Sequence, residues 1–202
     1  MKNIITIQHT QSVHHTNGMI GSQTDWELTA LGIKQAHRIG QRLKDELKDN
    51  QYIIYSSDLK RCKQGAEIVS SYLDSTIVYD DRLREVNLGS ACGESVDWFR
   101  EHKLCDDLTC DSKMLPDAES RREAWHRLNP FYEMIEKNEQ ENIIIYSHGG
   151  LLAIWNIMHL GLQPEDLNRI TMHGKSGGVS FMRIKNNHHS IDRMSDMYYV
   201  ML

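Results

Sequence analysis

Proline is scarce in this sequence, with three in 202 residues, and long apolar runs are absent. Few prolines and 13 glycines exclude a collagenous or low-complexity chain. No apolar stretch approaches the roughly 20 residues of a membrane-spanning helix, so no membrane partner is expected. The opening MKNIITIQHT turns polar after seven residues, which does not describe a signal peptide, and a cytoplasmic location is expected. Basic charge is not in excess: 23 Lys and Arg face 28 Asp and Glu, for a net charge of -5. Nucleic-acid partners need a basic patch and are not expected. A small anionic substrate in a local positive pocket stays open. None of the four cysteines forms a CxxC pair. Cys105 and Cys110 could join His102 and a distant histidine on zinc, but structural zinc sites use tighter pairs. The cysteines read as free thiols of a reducing compartment. No metal or other cofactor is expected. What the chain does have is histidine, 11 in all.

The pattern along the chain alternates strands and helices. Asn3 to Ile7, Tyr52 to Tyr55, Thr76 to Tyr79 and Asn142 to Tyr146 are short, β-branched apolar runs that read as strands. Between them, Thr29 can cap a helix with Ile33, Ala36, Ile39, Gly40 and Leu43 on one face. Ser57 can cap a second helix, reaching about Leu73. Glu119 to Lys137 and Gly149 to Leu160 read as two more, and Val179 to Ile184 and Ser190 to Val200 as terminal strands. This predicts an α/β fold, a three-layer α/β/α sandwich around a mostly parallel sheet. One domain over 1–202 is expected, with 86–116 as a cap or insertion over the active site.

In such sheets ligands gather beyond the carboxyl ends of the strands. The first strand ends in Gln8-His9 and the Asn142–Tyr146 strand in Ser147-His148-Gly149-Gly150. The second runs into Ser56-Ser57-Asp58-Leu59-Lys60-Arg61, and the third leads to Leu83-Arg84-Glu85. Taken singly, each is ordinary: a histidine after a strand is usually structural, an arginine a surface ion-pair partner. Together, two histidines, an arginine and a glutamate suit phosphoryl transfer through a phosphohistidine. A neutral imidazole attacks phosphorus. A second histidine and an arginine can neutralise the equatorial oxygens. A carboxylic acid can protonate the leaving alkoxide. Gly149 and Gly150 allow close backbone approach at a helix N-terminus that favours an anion.

These residues resemble the histidine phosphatase superfamily, in the branch of phosphoglycerate mutase and its phosphatase relatives. Leu28-Thr29-x-x-Gly32-x-x-Gln35-Ala36 is similar to the family's LTxxGxxQA helix. Tyr55 to Gln64 resembles its SSDLxRAxQTA segment, Leu83 to Gly89 its LxExxxG, Pro116 to Ser120 its PGGES, and Ser147 to Gly150 its SHGG. The resemblance implies a phosphoglycerate mutase-like fold. It also makes His9 the nucleophile, Arg61 a phosphate ligand, Glu85 the proton donor and His148 the second catalytic histidine.

The first block departs from the pattern. Gln8-His9-Thr10 stands where the family has Arg-His-Gly, and His15 stands where it has a phosphate-binding asparagine. The GxWEG segment is altered to Gly89-Ser90-Ala91-Cys92-Gly93. Gln8 still donates hydrogen bonds to a phosphoryl group but brings no charge. The loss is worth about 2–4 kcal/mol of transition-state stabilisation, roughly two to three decades in rate. A protonated His15 could return part of it. His173 falls in a segment, His173 to Gly178, that the family places near its active site. Otherwise His14 and His15 read as a polar loop pair, His159 lies near a helix end where a cation suits the dipole, and His188 and His189 read as a turn with Asn186 and Asn187. The function expected is hydrolysis of a small phosphorylated substrate, with inorganic phosphate as product. The alternative is a weak or inactive relative that binds a phosphorylated ligand or a protein partner. A mutase fits less well, because the middle segment Glu101 to Asp107 is acidic. A metal-dependent hydrolase built on the histidines finds no HExxH spacing.

Overall fold

The computed structural model describes residues 1–47, 51–105 and 109–201. Six strands form one sheet: β1 (Lys2–Gln8), β2 (Ile53–Ser56), β3 (Thr76–Tyr79), β4 (Asn142–Ser147), β5 (Val179–Lys185) and β6 (His188–Asp196), in the order β3-β2-β4-β1-β5-β6. The first four are parallel, and β5 and β6 join antiparallel at one edge. Among the described residues five α-helices accompany them: α1 (Ala30–Leu47), α2 (Lys60–Leu73), α3 (Val96–His102), α4 (Arg121–Lys137) and α5 (Gly149–His159).

The strands read as unbroken apolar runs because both faces of the sheet are covered. Ile5, Ile7, Ile144 and Tyr146 pack against Ile39 and Leu43 of α1 and Ala66 and Val69 of α2. Ile4, Ile143 and Ile145 pack on the other face against Leu128 and Phe131 of α4 and Ile154 and Trp155 of α5. The expected three layers are therefore present. In the β1–β4 pairing, Gln8 lies opposite Ser147. That register sets His9 and His148, the next residues of each strand, side by side.

Thr29 caps α1 as expected, its hydroxyl accepting the Gly32 N–H at 3.0 Å. The same turn holds the segment after β1. Thr29 N–H donates to the Gln11 carbonyl at 3.0 Å, Thr10 Oγ1 donates to the Gly32 carbonyl at 2.8 Å, and Gln35 Oε1 accepts from Gln11 N–H at 3.1 Å. The Leu28–Ala36 block is thus a staple on the loop that carries His9. α4 opens on a reciprocal cap between Ser120 and Glu123, so it starts two residues later than the Glu119 boundary.

Several expectations are corrected. Ser57 is not the cap of α2, which begins at Lys60 after Leu59; its hydroxyl is turned to His148 instead. Ile33 is exposed, because the buried stripe of α1 runs through Gly32, Ala36, Ile39, Gly40 and Leu43. His188 and His189 are not in the turn but open β6; Asn186 and Asn187, both at positive φ, make the two-residue hairpin. His159 is not a charged helix end but fully buried. The tail strand stops at Asp196, and Met197–Val200 is a 3-10 turn. In 86–116, Trp98 and Phe99 of α3 pack beside Ala91, Leu115 and Ala118, whereas Leu104 is exposed. Asp106 and Asp107 of the acidic middle segment lie outside the described residues.

Candidate active site

His9 is buried just past the end of β1. Its Nδ1 lies 2.9 Å from the Thr10 carbonyl oxygen. A carbonyl only accepts, so Nδ1 carries the proton and Nε2 the lone pair. Arg61 Nε donates to that Nε2 at 3.2 Å. Burial first, and the Arg61 charge second, push the His9 pKa well below the ordinary imidazole value. The ring is neutral, with Nε2 as its unprotonated nitrogen.

Arg61, on the first turn of α2, is itself buried. Its Nη1 and Nη2 donate to the carbonyls of Thr24 at 2.7 Å and Ser22 at 2.6 Å. Three of its five N–H groups are thereby used, and two remain for an anion. The polar stretch between Gln8 and Glu27 supplies those carbonyls, so its length serves the guanidinium.

His148 caps α5 and its ring lies 5.2 Å from that of His9, edge to face. Its Nε2 is 2.8 Å from Ser57 Oγ, and burial, then Arg61, lower its pKa well below normal. Cys62 Sγ packs 3.4 Å from the same nitrogen, and burial raises the thiol pKa.

Glu85 lies on the N-terminus of α5. Its Oε1 accepts from Val86 N–H and Leu151 N–H, both at 2.9 Å, and Oε2 accepts from Gly150 N–H at 3.1 Å. A Cβ on Gly150 would come within 2.6 Å of Oε1, so only glycine lets the carboxylate in. Arg127 braces the loop from behind. It forks onto Glu119 at 2.8–2.9 Å and donates to the carbonyls of Arg82, Arg84 and Glu85. The sequence offered no direct sign of this brace beyond the Pro116–Ser120 block.

A cavity of about 360 Å³ opens over this group, lined among others by His9, His14, Arg61, Glu85, Gly150 and His173. Leu88, Ser112 and Met114 of the 86–116 segment also line it. Gln8, His15, His148 and Gly149 are not on its wall, although the rings of His15 and His148 lie against that of His9. The Gln8 side chain turns toward Gly149 and Gly174, and its Oε1 is buried without a hydrogen-bond partner. The His15 ring stacks 5.5 Å from that of His9, with Nδ1 accepting Ser12 N–H at 3.1 Å. Burial and then Arg61 lower its pKa, so with no anion present it brings no charge to replace that of the missing arginine. His14, which reads in sequence as an ordinary loop residue, lines the cavity and titrates at about 3 through burial, His15 and Arg61.

His173 lines the cavity, with its pKa lowered by burial and then Arg121. The rest of its segment supports β1: Ser176 Oγ donates to the His9 carbonyl at 2.9 Å, and Gly177 N–H reaches both the Gln8 and His9 carbonyls at 3.1 Å.

Ring nitrogens of His9, His14 and His15 all lie within 4.8 Å of one another, close enough to share a cation. Two of the lone pairs are already engaged, His9 Nε2 by Arg61 and His15 Nδ1 by Ser12. A guanidinium in contact with the cluster opposes a second positive charge. The arrangement suits an anion better than a metal ion.

The chain resembles known proteins over nearly all of its length. It is 32% identical over 177 residues to a protein of Hydrogenobacter thermophilus that carries a provisional phosphoserine phosphatase name, covering 85% of each chain. It is 28% identical to a probable phosphoglycerate mutase of Yersinia pestis, covering 85% of this chain and 81% of that one. Its fold matches YhfR of Bacillus stearothermophilus with a TM-score of 0.84 at 20% identity over the whole of both chains. The α-ribazole phosphatase of Shigella flexneri matches with 0.83 at 19% identity over 96% of each. Residues 4–197 match the model of the histidine phosphatase superfamily (branch 1), and the chain belongs to that family.

Proposed function

We propose that the protein is a phosphoric monoester hydrolase working through phospho-His9. The observation that carries the reading is the His9 imidazole, held neutral with Nε2 unprotonated and next to Arg61, in a cavity that also takes in Glu85. His9 Nε2 forms the N–P bond as the P–O bond to the alcohol breaks. Arg61, with two free N–H groups, and His148 stabilise the equatorial oxygens, His15 offers a ring N–H, and Gln8 adds a neutral donor only by turning from Gly149 toward the phosphoryl group. Glu85 gives the leaving alkoxide its proton. Oε1 already accepts two N–H groups and Oε2 only one, so Oε2 keeps the lone pair that carries this proton. Water then forms the new O–P bond as the N–P bond breaks, and Glu85 takes the water proton. Inorganic phosphate leaves and His9 is restored. The described part of the 86–116 segment acts as a cap over the cavity, through Leu88, Ser112 and Met114. The phosphatase names among the relatives support the reaction class.

Release of phosphate from phenyl phosphate tests this. It is expected to persist in EDTA and to vanish in His9→Ala. Loss of activity in EDTA would instead favour a metal mechanism.

A second reading is a binder of phosphorylated ligands with little turnover. The neutral Gln8, turned from the cavity wall, favours it. Phosphate binding measured by calorimetry, with no ester turned over between pH 5 and 8, is the result that would establish it.

A further inference from the structure

The cavity has two unlike parts. Around His9 its wall is polar. Elsewhere it is built by Ile20, Leu88, Met114, Leu167, Ile170 and Met172. Two guanidiniums line it, Arg61 and Arg121, and neither pairs with a carboxylate among the described residues. The two carboxylates on the wall are already engaged, Glu85 by backbone amides and Glu119 by Arg127. Backbone amides leave the Glu85 charge in place, and it acts on Arg61 together with Asp25, so Arg121 is the guanidinium of the wall with no carboxylate partner among the described residues.

Arg121 is the less expected of the two. Its neighbour Arg122 is paired with Asp111 and Glu165. Arg121 donates only through Nη1, to the Leu167 carbonyl at 3.2 Å. Its Nε–Nη2 edge makes no hydrogen bond within the described protein. That edge is the one a guanidinium offers to a carboxylate in a bidentate pair. The two cations are held by different parts of the chain. Arg61, on α2, is fixed by His9 and the carbonyls of Ser22 and Thr24, whereas Arg121 opens α4 and rests on the Leu167 carbonyl. The cavity wall includes both, with apolar side chains beside them. Arg121 is half-buried, and an anion that enters the cavity finds a guanidinium with one edge unused by the described protein.

We propose that the substrate is a phosphomonoester with an apolar carbon skeleton and a second anionic group, a carboxylate, that docks on Arg121. The phosphoryl group sits at His9 and Arg61, and the skeleton lies along the Ile20, Leu88, Met114 and Met172 wall. This rests on the phosphatase reading and specifies its substrate. A cavity of about 360 Å³ falls in the range of small-molecule sites and is larger than a three-carbon phosphate needs.

Three probes test it: phenyl phosphate, 4-(2-carboxyethyl)phenyl phosphate and glycerol phosphate. The carboxylated aryl ester is expected to exceed phenyl phosphate in kcat/KM by about ten- to a hundredfold, the worth of one charge-assisted bidentate pair. The gain should lie mainly in KM, and glycerol phosphate should be the poorest of the three. Arg121→Gln should bring the two aryl esters together, and Arg121→Lys should keep part of the difference. Calorimetric Kd values for the same esters with His9→Ala give the comparison without turnover. Equal kcat/KM and equal Kd for the two aryl esters would overturn the proposal, as would a preference that survives Arg121→Gln. If no ester turns over but the Kd preference holds, the phosphatase reading fails and the anion site stands.

Discussion

Arg61 Nε donates to His9 Nε2 at 3.2 Å, from a guanidinium whose other two nitrogens are fixed on the carbonyls of Ser22 and Thr24. One contact thus joins the proposed nucleophile to the group that would neutralise the phosphoryl oxygens. Arg61→Gln removes the charge and loosens the loop at once. A fall in kcat/KM on phenyl phosphate of about a hundred- to a thousandfold is expected, as for loss of an oxyanion donor. Steady-state kinetics measure it, and a change under fivefold would mean that Arg61 only supports the loop.

The pH profile follows from the same pair. Burial, then Arg61, keeps the His9 pKa well below the ordinary value, so its lone pair stays available as pH falls. The rate profile between pH 8 and 5 should carry no acid limb near 6.5. Such a limb, with the midpoint of a free imidazole, would show that His9 titrates as in water.

Gln8 can be tested by restoring what the family pattern has. Gln8→Arg would place a guanidinium beside the Gly149 backbone, at the end of β1, next to His9. A rise in kcat/KM of about tenfold or more is expected from the added charge-assisted bond. An unchanged or lower rate would indicate a pocket rebuilt around the neutral amide.

His15 is neutral in the empty site, but a phosphate dianion against it would raise its pKa. Phosphate should then bind the wild type more tightly than His15→Asn, and the ratio should grow as pH falls from 8 to 6. Calorimetry at both pH values reads this, and a constant ratio would remove His15 from the anion's partners.

Much of this site was legible in the sequence, and for a physical reason. His9 and His148 directly follow a strand, Arg61 stands on the first turn of the helix after β2 and Glu85 in the loop after β3, and the strands were marked by short apolar runs. The staple from Thr29 and Gln35 was legible as a motif because it needs fixed spacing along one helix. What the sequence did not carry were relations across the sheet. Ser57 read as a helix cap, because its partner His148 is 91 residues away and is brought to it by strand order. His159 read as a charged helix end, because the burial of that turn under β6 depends on a hairpin packed over it. The direction of the Gln8 side chain depends on Gly149 and Gly174, again from distant parts of the chain. Arg121 had no local signature at all; only the shape of the cavity separates it from Arg122.

His159 supplies a stability prediction independent of catalysis. Its Nε2 lies 3.1 Å from the Ser190 carbonyl and so carries the proton, while Nδ1 is buried without a partner. Burial lowers its pKa to about 4, with a smaller opposing effect from the Ser190 bond. In the unfolded chain the group returns to about 6.5. Below that pH the unfolded state binds the proton and the folded state does not, so stability falls with pH from about 6.5 down to about 4 and then levels off. At pH 5 this one group accounts for a loss on the order of 2 kcal/mol. Urea unfolding at pH 7.5, 6 and 5 measures it. His159→Gln, which keeps an amide donor for Ser190 but does not titrate, should lower stability at pH 7.5 and show a shallower decline toward pH 5. An equal slope in both proteins would assign the acid loss to the other buried histidines, His9, His14 and His148.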